Sequence, residues 1–363
     1  MSEWLVYTLS ILLFLDIGLL LVLILGLNSS VPEQAVDFPD LSILVSARNE
    51  QENLPSCLDS LLNLEYPGNI EFLIGNDAST DQTASVIHSY SEKDNRLRYI
   101  PIEPGPTNLN GKANALSQLA GKAKGEVILF TDADMKLNPK WATHMVSQLK
   151  KKYRMTSGVT SIEGRKIFMR CQNQDWLFAQ GMLRVISNVL GTATALGNNM
   201  GLYTNSYREL GGFESLEFTL TEDHELNKAF RKAGLKTGQE MHPDALGFSK
   251  PEPGISAWLN QRKRWMTGAL KLPGWLIFLL TVHNLRWILL SIFLFIKPWL
   301  TLIGLLMLML DLIFLGRISS ILRLKFDLAG ILAFQIYQGI LYPLSVLYFF
   351  LPFSLTWKDR KYK

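Results

Sequence analysis

The sequence predicts an α/β fold, a mostly parallel sheet with helices on both faces, flanked by transmembrane helices. Three observations carry this. Between residues 41 and 151, apolar β-rich runs alternate with stretches of helical spacing. Both ends of the chain are almost continuously apolar, while the middle has the composition of a soluble protein. Several strand-like runs end on carboxylates, at the edge where parallel sheets bind ligands.

Residues 4–27 are apolar except for Asp16 and a few small polar residues, and are long enough to cross a bilayer, which takes about 20 residues. There is no basic leader and no A-x-A cleavage site, so residues 1–28 are expected to be a retained anchor rather than a signal peptide. Asp16 is costly in lipid and is expected to face another helix. Residues 29–40, with Pro32 and Pro39, read as a linker. The runs 41–47, 71–77, 96–102 and 126–134 read as strands. Those at 53–64, 80–90, 112–123 and 138–151 read as helices, the last with Pro139 in its first turn. Residues 171–190 look helical. Residues 197–213, rich in Gly and Asn, read as a loop with a close backbone approach followed by a short helix. Residues 221–234 read as a helix ending at Gly234.

A domain spanning 41–250 is therefore expected, followed by an amphipathic segment at 251–272. A membrane region of two or three spans at 273–352 comes next, then a basic tail at 353–363. The stretch 274–316 is interrupted by HNLR (283–286) and by Lys297-Pro298. Arg317, Arg323 and Lys325 precede the next apolar run, 328–350. The basic tail favours the cytosol. A net charge of +4, with no basic run interleaved with aromatics, argues against nucleic acid as a partner. Cys57 and Cys171 make neither a CxxC pair nor a metal spacing, and read as packed thiols in a reducing compartment.

The chemistry gathers at strand ends. Arg48, Asn49 and Glu50 follow the first strand; Asn76, Asp77, Ser79, Thr80 and Asp81 follow the second. In GEVILFTDADM (125–135) the fourth strand ends on Asp132 and Asp134. Asp81 and Asn138 are explained as turn or cap residues. Two carboxylates one residue apart suit a hard divalent cation and the phosphates it bridges. Lys112 and Asn114 open a helix whose N–H groups suit a diphosphate. A P-loop is excluded: five residues, not four, separate Gly105 from Gly111, and Ala113 stands where a Ser or Thr is needed. Thr221-Glu222-Asp223 opens another helix, where carboxylates ordinarily serve as caps or dipole partners. Gln261-Arg262-Lys263-Arg264-Trp265, with Trp258, reads as an amphipathic helix on a membrane surface.

Taken in order, Asp77, DAD, TED and QRKRW resemble the membrane-bound family 2 glycosyltransferases, which include cellulose, hyaluronan and poly-N-acetylglucosamine synthases and ceramide glucosyltransferase. SARNEQENLPSCLDSL, GNDASTDQT, GKANAL and GNNM look like that family's other segments, so the resemblance covers residues 40–270 and the flanking helices. It implies a GT-A fold, a nucleotide-sugar donor with a UDP-sugar expected, Mg²⁺ or Mn²⁺, and inverting transfer to a membrane-associated lipid or saccharide acceptor. Asp77 would contact the nucleoside base, Asp132 the nucleotide and Lys112 the diphosphate. Asp134 would hold the cation. Asp223 would be the general base, with Glu222 beside it. Gln261, Arg264 and Trp265 would cover the donor, with Trp265 and Asn199 toward the acceptor. The resemblance further implies an integral protein of the cell inner membrane with a cytosolic catalytic domain, and partner subunits if a polymer is made. A catalytically silent scaffold subunit and a nucleotidyltransferase remain as alternatives.

Overall fold

The computed structural model of the chain describes residues 3–30, 37–106, 108–296, 298, 302–358 and 360–362. Its first half runs α1 (Glu3–Gly26), β1 (Leu41–Ala47), α2 (Leu54–Leu62), β2 (Ile70–Asn76), α3 (Thr83–Ser91), β3 (Leu97–Pro101), α4 (Gly111–Lys122), β4 (Val127–Asp132), β5 (Lys136–Leu137), α5 (Trp141–Lys151), β6 (Met155–Ser157), β7 (Val159–Ile162) and α6 (Ile167–Leu190). The second half runs β8 (Asn199–Tyr203), α7 (Thr204–Glu209), α8 (Glu222–Lys232), β9 (Thr237–Gln239), β10 (Leu246–Ser249), α9 (Ile255–Ala269), α10 (Gly274–Ile296), α11 (Leu302–Ile321), α12 (Leu328–Phe350), β11 (Leu355–Trp357) and β12 (Arg360–Tyr362). The chain divides into two compact units. One is Ser29–Ser161 with Ile186–Lys250; the other is Met1–Asn28, Ile162–Val185 and Pro251–Lys363. Residues 162–185 cluster with the apolar helices.

The first unit is built on a seven-stranded sheet of order β3-β2-β1-β4-β8-β6-β9. Strands β3, β2, β1 and β4 are mutually parallel, β8 runs antiparallel to both β4 and β6, and β6 and β9 are parallel. Alternation explains the two cores. Leu41, Ile43 and Val45 with Val127 and Leu129 pack on one face with Leu58, Trp141 and Met145. Leu44, Ile128 and Phe130 face the other way, against Leu116, Leu119, Leu226 and Phe230. A strand buried on both faces needs apolar residues in both registers, hence the unbroken runs. The segment expected as a loop at 197–213 instead contributes β8. Asn199 and Gly201 hide its strand character, but pairing with β4 from Thr131↔Asn199 to Val127↔Tyr203 overrides propensity. At Gly201 a Cβ would lie 2.3 Å from Leu129 Cδ2, so a larger residue there would displace the Leu129 side chain. Half of the linker, 31–36, falls outside the described residues; Ser30 exchanges hydrogen bonds with Met241.

In the second unit four helices are long and apolar enough to cross a membrane: Val6–Gly26, Gly274–Phe293, Leu302–Ile321 and Leu328–Phe350. Among the described residues, three of these candidates follow the α/β part. HNLR does not interrupt its helix, for α10 runs through it. His283 and Arg286, three apart, turn inward together: His283 Nδ1 lies 2.8 Å from Asp16 Oδ1, and Arg286 pairs with Asp311 and Asp16. Gln335 and Gln338 of α12 accept from the same guanidinium at 2.9 and 2.8 Å. Asp16 faces other helices, as its cost in lipid requires. Lys297 lies outside the described residues, as do Asp359 and Lys363 of the tail, which otherwise forms the hairpin β11–β12.

Candidate active site

The parallel topology sets the rim. Register pairs Ala47 with Asn76 and Ser46 with Asp132, so the ends of β2 and β4 flank the end of β1. Asp77 and Asp132 are therefore about two strand spacings apart, roughly 10 Å. The loop that carries Asp77 is braced against the loop that follows β1. Arg48 Nη1 donates to the carbonyls of Asp77 and Ala78 at 2.8 and 2.9 Å, and Asn49 Oδ1 accepts from Thr80 N at 2.9 Å. Asn49 and Ala78 both hold left-handed backbone, φ 52° and 51°, an unfavourable state for a residue with a Cβ and one that clusters at functional sites. Asp81 is structural: Thr83 N and Gln51 N donate to its two oxygens, and although burial opposes the charge, these bonds hold its carboxyl below the ordinary range. Asn138 accepts from Lys140 N as a turn former.

Three of the expected residues meet directly, and a fourth lies beside them. Lys112, in the first turn of α4, places Nζ 2.5 Å from Asp132 Oδ1 and 3.9 Å from Glu222 Oε1. Asp223 follows Glu222 in the first turn of α8, with Oδ2 accepting from Gly197 N at 2.8 Å and Oδ1 from His224 N at 2.8 Å. The expected close backbone approach at GNN is real, since a Cβ on Gly197 would lie 3.1 Å from Asp223 Oδ2. Ser249 Oγ donates to Asp134 Oδ2 at 3.3 Å. Cys57 lies beneath, its Sγ 3.5 Å from the Asp132 carbonyl oxygen. Burial and then the charges of Asp134, Asp132 and Glu50 hold its thiol far above the ordinary value, so it is inert, and one buried atom senses three of the rim's carboxylates. A cavity of about 290 Å³ lined by Asp40, Lys124, Glu126, Asn205 and Arg208 lies at the opposite ends of β1 and β4, away from this rim.

Electrostatics tie these groups into one unit. Burial disfavours the Lys112 ammonium, but the attraction of Asp132 and then Glu222 outweighs it and holds Lys112 above its ordinary value. Burial pushes the Glu222 carboxyl up, Lys112 opposes this, and the charge of Asp223 adds to it. A carboxyl raised above its usual 4.5 binds its proton more tightly in the folded state than in the unfolded one. Its ionisation therefore costs stability as pH climbs from that value through the folded one. Glu222→Gln should raise the thermal midpoint at pH 7, by roughly 2–4 °C per kcal/mol relieved. The gain should vanish below about pH 4.5, where both carboxyl states are protonated. A midpoint unchanged at pH 7 would refute this strain.

Asn199 pairs with Thr131, one residue short of the rim, but its side chain turns into the core rather than onto the rim. It is fully buried; its Oδ1 accepts from Trp141 Nε1 at 2.8 Å, and its Nδ2 donates to the carbonyls of Val159 and Ala245. With its amide engaged in joining α5, β8 and the turn before β10, it frames the sheet rather than contacting an acceptor. Asn110 was not anticipated. Its Oδ1 caps α4 through Ala113 N, and its Nδ2 donates to Glu222 Oε2 at 3.1 Å. An Asn directly before a helical run is the signal that marks it.

Gln261, Arg264 and Trp265 belong to the second unit, on α9. Gln261 Nε2 donates to Glu252 Oε1 at 2.7 Å, and the Trp265 ring meets Trp176 edge-on at 5.0 Å. Burial raises the Glu252 carboxyl against the pull of Arg264 and Arg262. The basic residues do not simply form an outward face. Arg262 pairs with buried Asp175 and lies over Trp258 and Trp265, and Lys263 Nζ donates to the carbonyls of Leu351 and Phe353. The helical spacing 258, 262, 265 is the signal in the sequence for Arg262.

Comparison with known proteins gives concordant matches. Residues 42–195 match the family model Glycosyl transferase family 2, and residues 127–357 match Glycosyl transferase family group 2. The chain is 26% identical over 246 residues to a probable glycosyltransferase, YdaM, of Bacillus subtilis, covering 65% of this chain and 56% of that protein. It is 26% identical over 231 residues to the poly-beta-1,6-N-acetyl-D-glucosamine synthase of Staphylococcus epidermidis (63% and 54% covered). It is 28% identical over 242 residues to the beta-monoglucosyldiacylglycerol synthase of Nostoc sp. (63% and 49% covered). The chain thus spans about half the length of these curated relatives. In fold it is similar to the mannosyltransferase PcManGT from Pyrobaculum calidifontis, solved in complex with GDP-Man and Mn²⁺. The TM-score is 0.60 at 19% identity, over 94% of this chain and 98% of that one. The expected GT-A-like architecture is the one observed.

Proposed function

The chain belongs to Glycosyl transferase family group 2, and on that premise we propose that it moves a sugar, with inversion, from a nucleotide-diphosphate sugar to a membrane-associated lipid or saccharide acceptor. A UDP-sugar is the donor we assign. The observation that carries this reading is the unbroken series Asp132–Lys112–Glu222, with Asp223 adjacent, at the C-terminal ends of a parallel sheet. Cleaving a sugar–phosphate bond leaves charge on the diphosphate, and a preorganised cation is placed to receive it. Lys112, raised and buried, stays charged for that task, and the N-terminus of α4 adds backbone N–H groups. Asp77 is assigned to the nucleoside base and Asp132 to the nucleotide. Asp223 accepts the proton of the attacking hydroxyl. The assignment of Gln261, Arg264 and Trp265 to donor and acceptor rests on the family resemblance.

The donor set fits a hard divalent cation. Asp134 offers carboxylate oxygen, steadied by Ser249, and Lys112 already engages Asp132. Mg²⁺ or Mn²⁺ held by Asp134 would supply charge neutralisation for the diphosphate. Two buried, unbridged cysteines suit a reducing compartment, so we place the site on the cytosolic side of the cell's inner membrane.

The test is to incubate membranes containing the protein with a panel of labelled nucleotide sugars. One donor is expected to label a lipid or saccharide while releasing a nucleoside diphosphate. Chelation should stop transfer and Mg²⁺ or Mn²⁺ restore it, and Asp134→Asn should raise the metal concentration needed at least tenfold. Inertness toward these donors together with release of pyrophosphate from a nucleoside triphosphate and a sugar phosphate would instead make the chain a nucleotidyltransferase. Inertness toward every donor would make it a scaffold subunit.

A further inference from the structure

Away from the DAD rim, α5 and the segment after β9 bring together four groups that the proposed transfer does not use. One nitrogen each from His144 and His242 and a carboxylate oxygen of Asp244 lie within 4.8 Å of one another. Both histidines are buried, their rings parallel at 4.5 Å between centroids. Glu240 stands behind them, with no solvent exposure. Its Oε2 lies 3.2 Å from His144 Nε2, and its Oε1 is buried with no hydrogen-bond partner among the described residues. Burying a carboxylate half-satisfied is expensive unless a positive charge compensates it.

We propose that His144, His242 and Asp244 form a second metal site, for a zinc-type divalent cation, with Glu240 as the carboxylate that orients His144. A carboxylate only accepts hydrogen bonds, so Glu240 fixes the proton on His144 Nε2 and leaves Nδ1 to present its lone pair. This is the usual carboxylate–histidine–metal arrangement. With neutral imidazoles, Glu240 and Asp244 leave two negative charges, which a divalent ion cancels. Imidazole selects Zn²⁺ or Co²⁺ over Mg²⁺, whereas the all-oxygen DAD rim selects the reverse, so the two sites need not compete for one metal. A tetrahedral ion needs donors about 3.4 Å apart, given bonds of about 2.0–2.1 Å, so binding must unstack the two rings and take His242 Nδ1 from Asp244 N, which now donates to it at 3.1 Å. Such an ion would staple α5 to the turn that leads into β10. That strand pairs with β5, just after DAD, and carries Ser249 onto Asp134.

The experiment uses the full-length protein in detergent, stripped with chelator, dialysed against excess Mg²⁺ and then titrated with Zn²⁺ or Co²⁺. The expected result is one tightly held equivalent of Zn²⁺ per chain and a Co²⁺ absorption band of tetrahedral intensity. His242→Gln and Asp244→Asn should each weaken binding tenfold or more, and Asp134→Asn should leave it unchanged. The thermal midpoint should rise on adding Zn²⁺ in wild type only. Asp244 is partly exposed, so Asp244→Asn decides the matter even if His242→Gln fails to fold. Wild-type protein that retains under a tenth of an equivalent, or Asp244→Asn protein that binds as wild type does, would overturn the site.

Discussion

Asp223→Asn will lower turnover by about 10²–10⁴-fold, the usual contribution of a general base, while donor binding persists. The choice of Asp223 over Glu222 rests on their surroundings. Glu222 is buried, bonded to Asn110 and spent in keeping Lys112 charged; burial opposes its ionisation. Asp223 sits one position on, with an oxygen held by Gly197 N, so the carboxylate is aimed rather than free to rotate. The amide retains the size of the side chain and one acceptor oxygen, so a loss of rate with unchanged binding isolates basicity from shape. Binding is followed by titration with the nucleoside diphosphate and turnover by its release. A fall of less than tenfold would place the base elsewhere and remove the chemical basis of the proposal.

Much of this site could be read in the sequence because local rules converge there. Apolar runs bounded by helical spacing gave β1, β2, β3 and β4, and parallel connectivity then required their ends to share one rim. Asp77, Asp132 and Asp134 follow from that geometry without any knowledge of side-chain contacts. What escaped depended on distant partners. β8 carries Asn199 and Gly201, residues poor in strand propensity, and it is a strand because β4 lies beside it. Asn199 looked like a polar group presented to a ligand, but Trp141, fifty-eight positions away, takes its oxygen. Arg262 was passed over in favour of its motif neighbours because its partner, Asp175, lies in a different helix. HNLR looked like a break because two charged or titratable residues within an apolar helix are tolerable only when opposite charges wait for them. A sequence shows each charge but not the pairing.

Arg286→Met is expected to be the most damaging single change in the apolar helices, costing about 3–5 kcal/mol, because it removes the cation of a buried ionic group and leaves the Asp311 carboxylate without it. Arg286 has no solvent exposure, and its guanidinium joins α10 to Asp16 of α1, Asp311 of α11, and Gln335 and Gln338 of α12. One side chain thus bonds to three other helices in a setting where apolar contact alone distinguishes poorly between packing partners. The cost comes from the orphaned Asp311 carboxylate, not from the lost attraction, so the double variant Arg286→Met with Asp311→Leu should recover part of the stability. Thermal midpoint and the monodisperse fraction in detergent report both effects. If the single variant matched wild type, the helices would be held by shape alone and the charges would have no structural role. If the double variant were worse than the single one, Asp311 would be engaged by groups other than Arg286. The expected order, wild type above double above single, is the signature of a buried ion group that is costly to break and cheaper to remove.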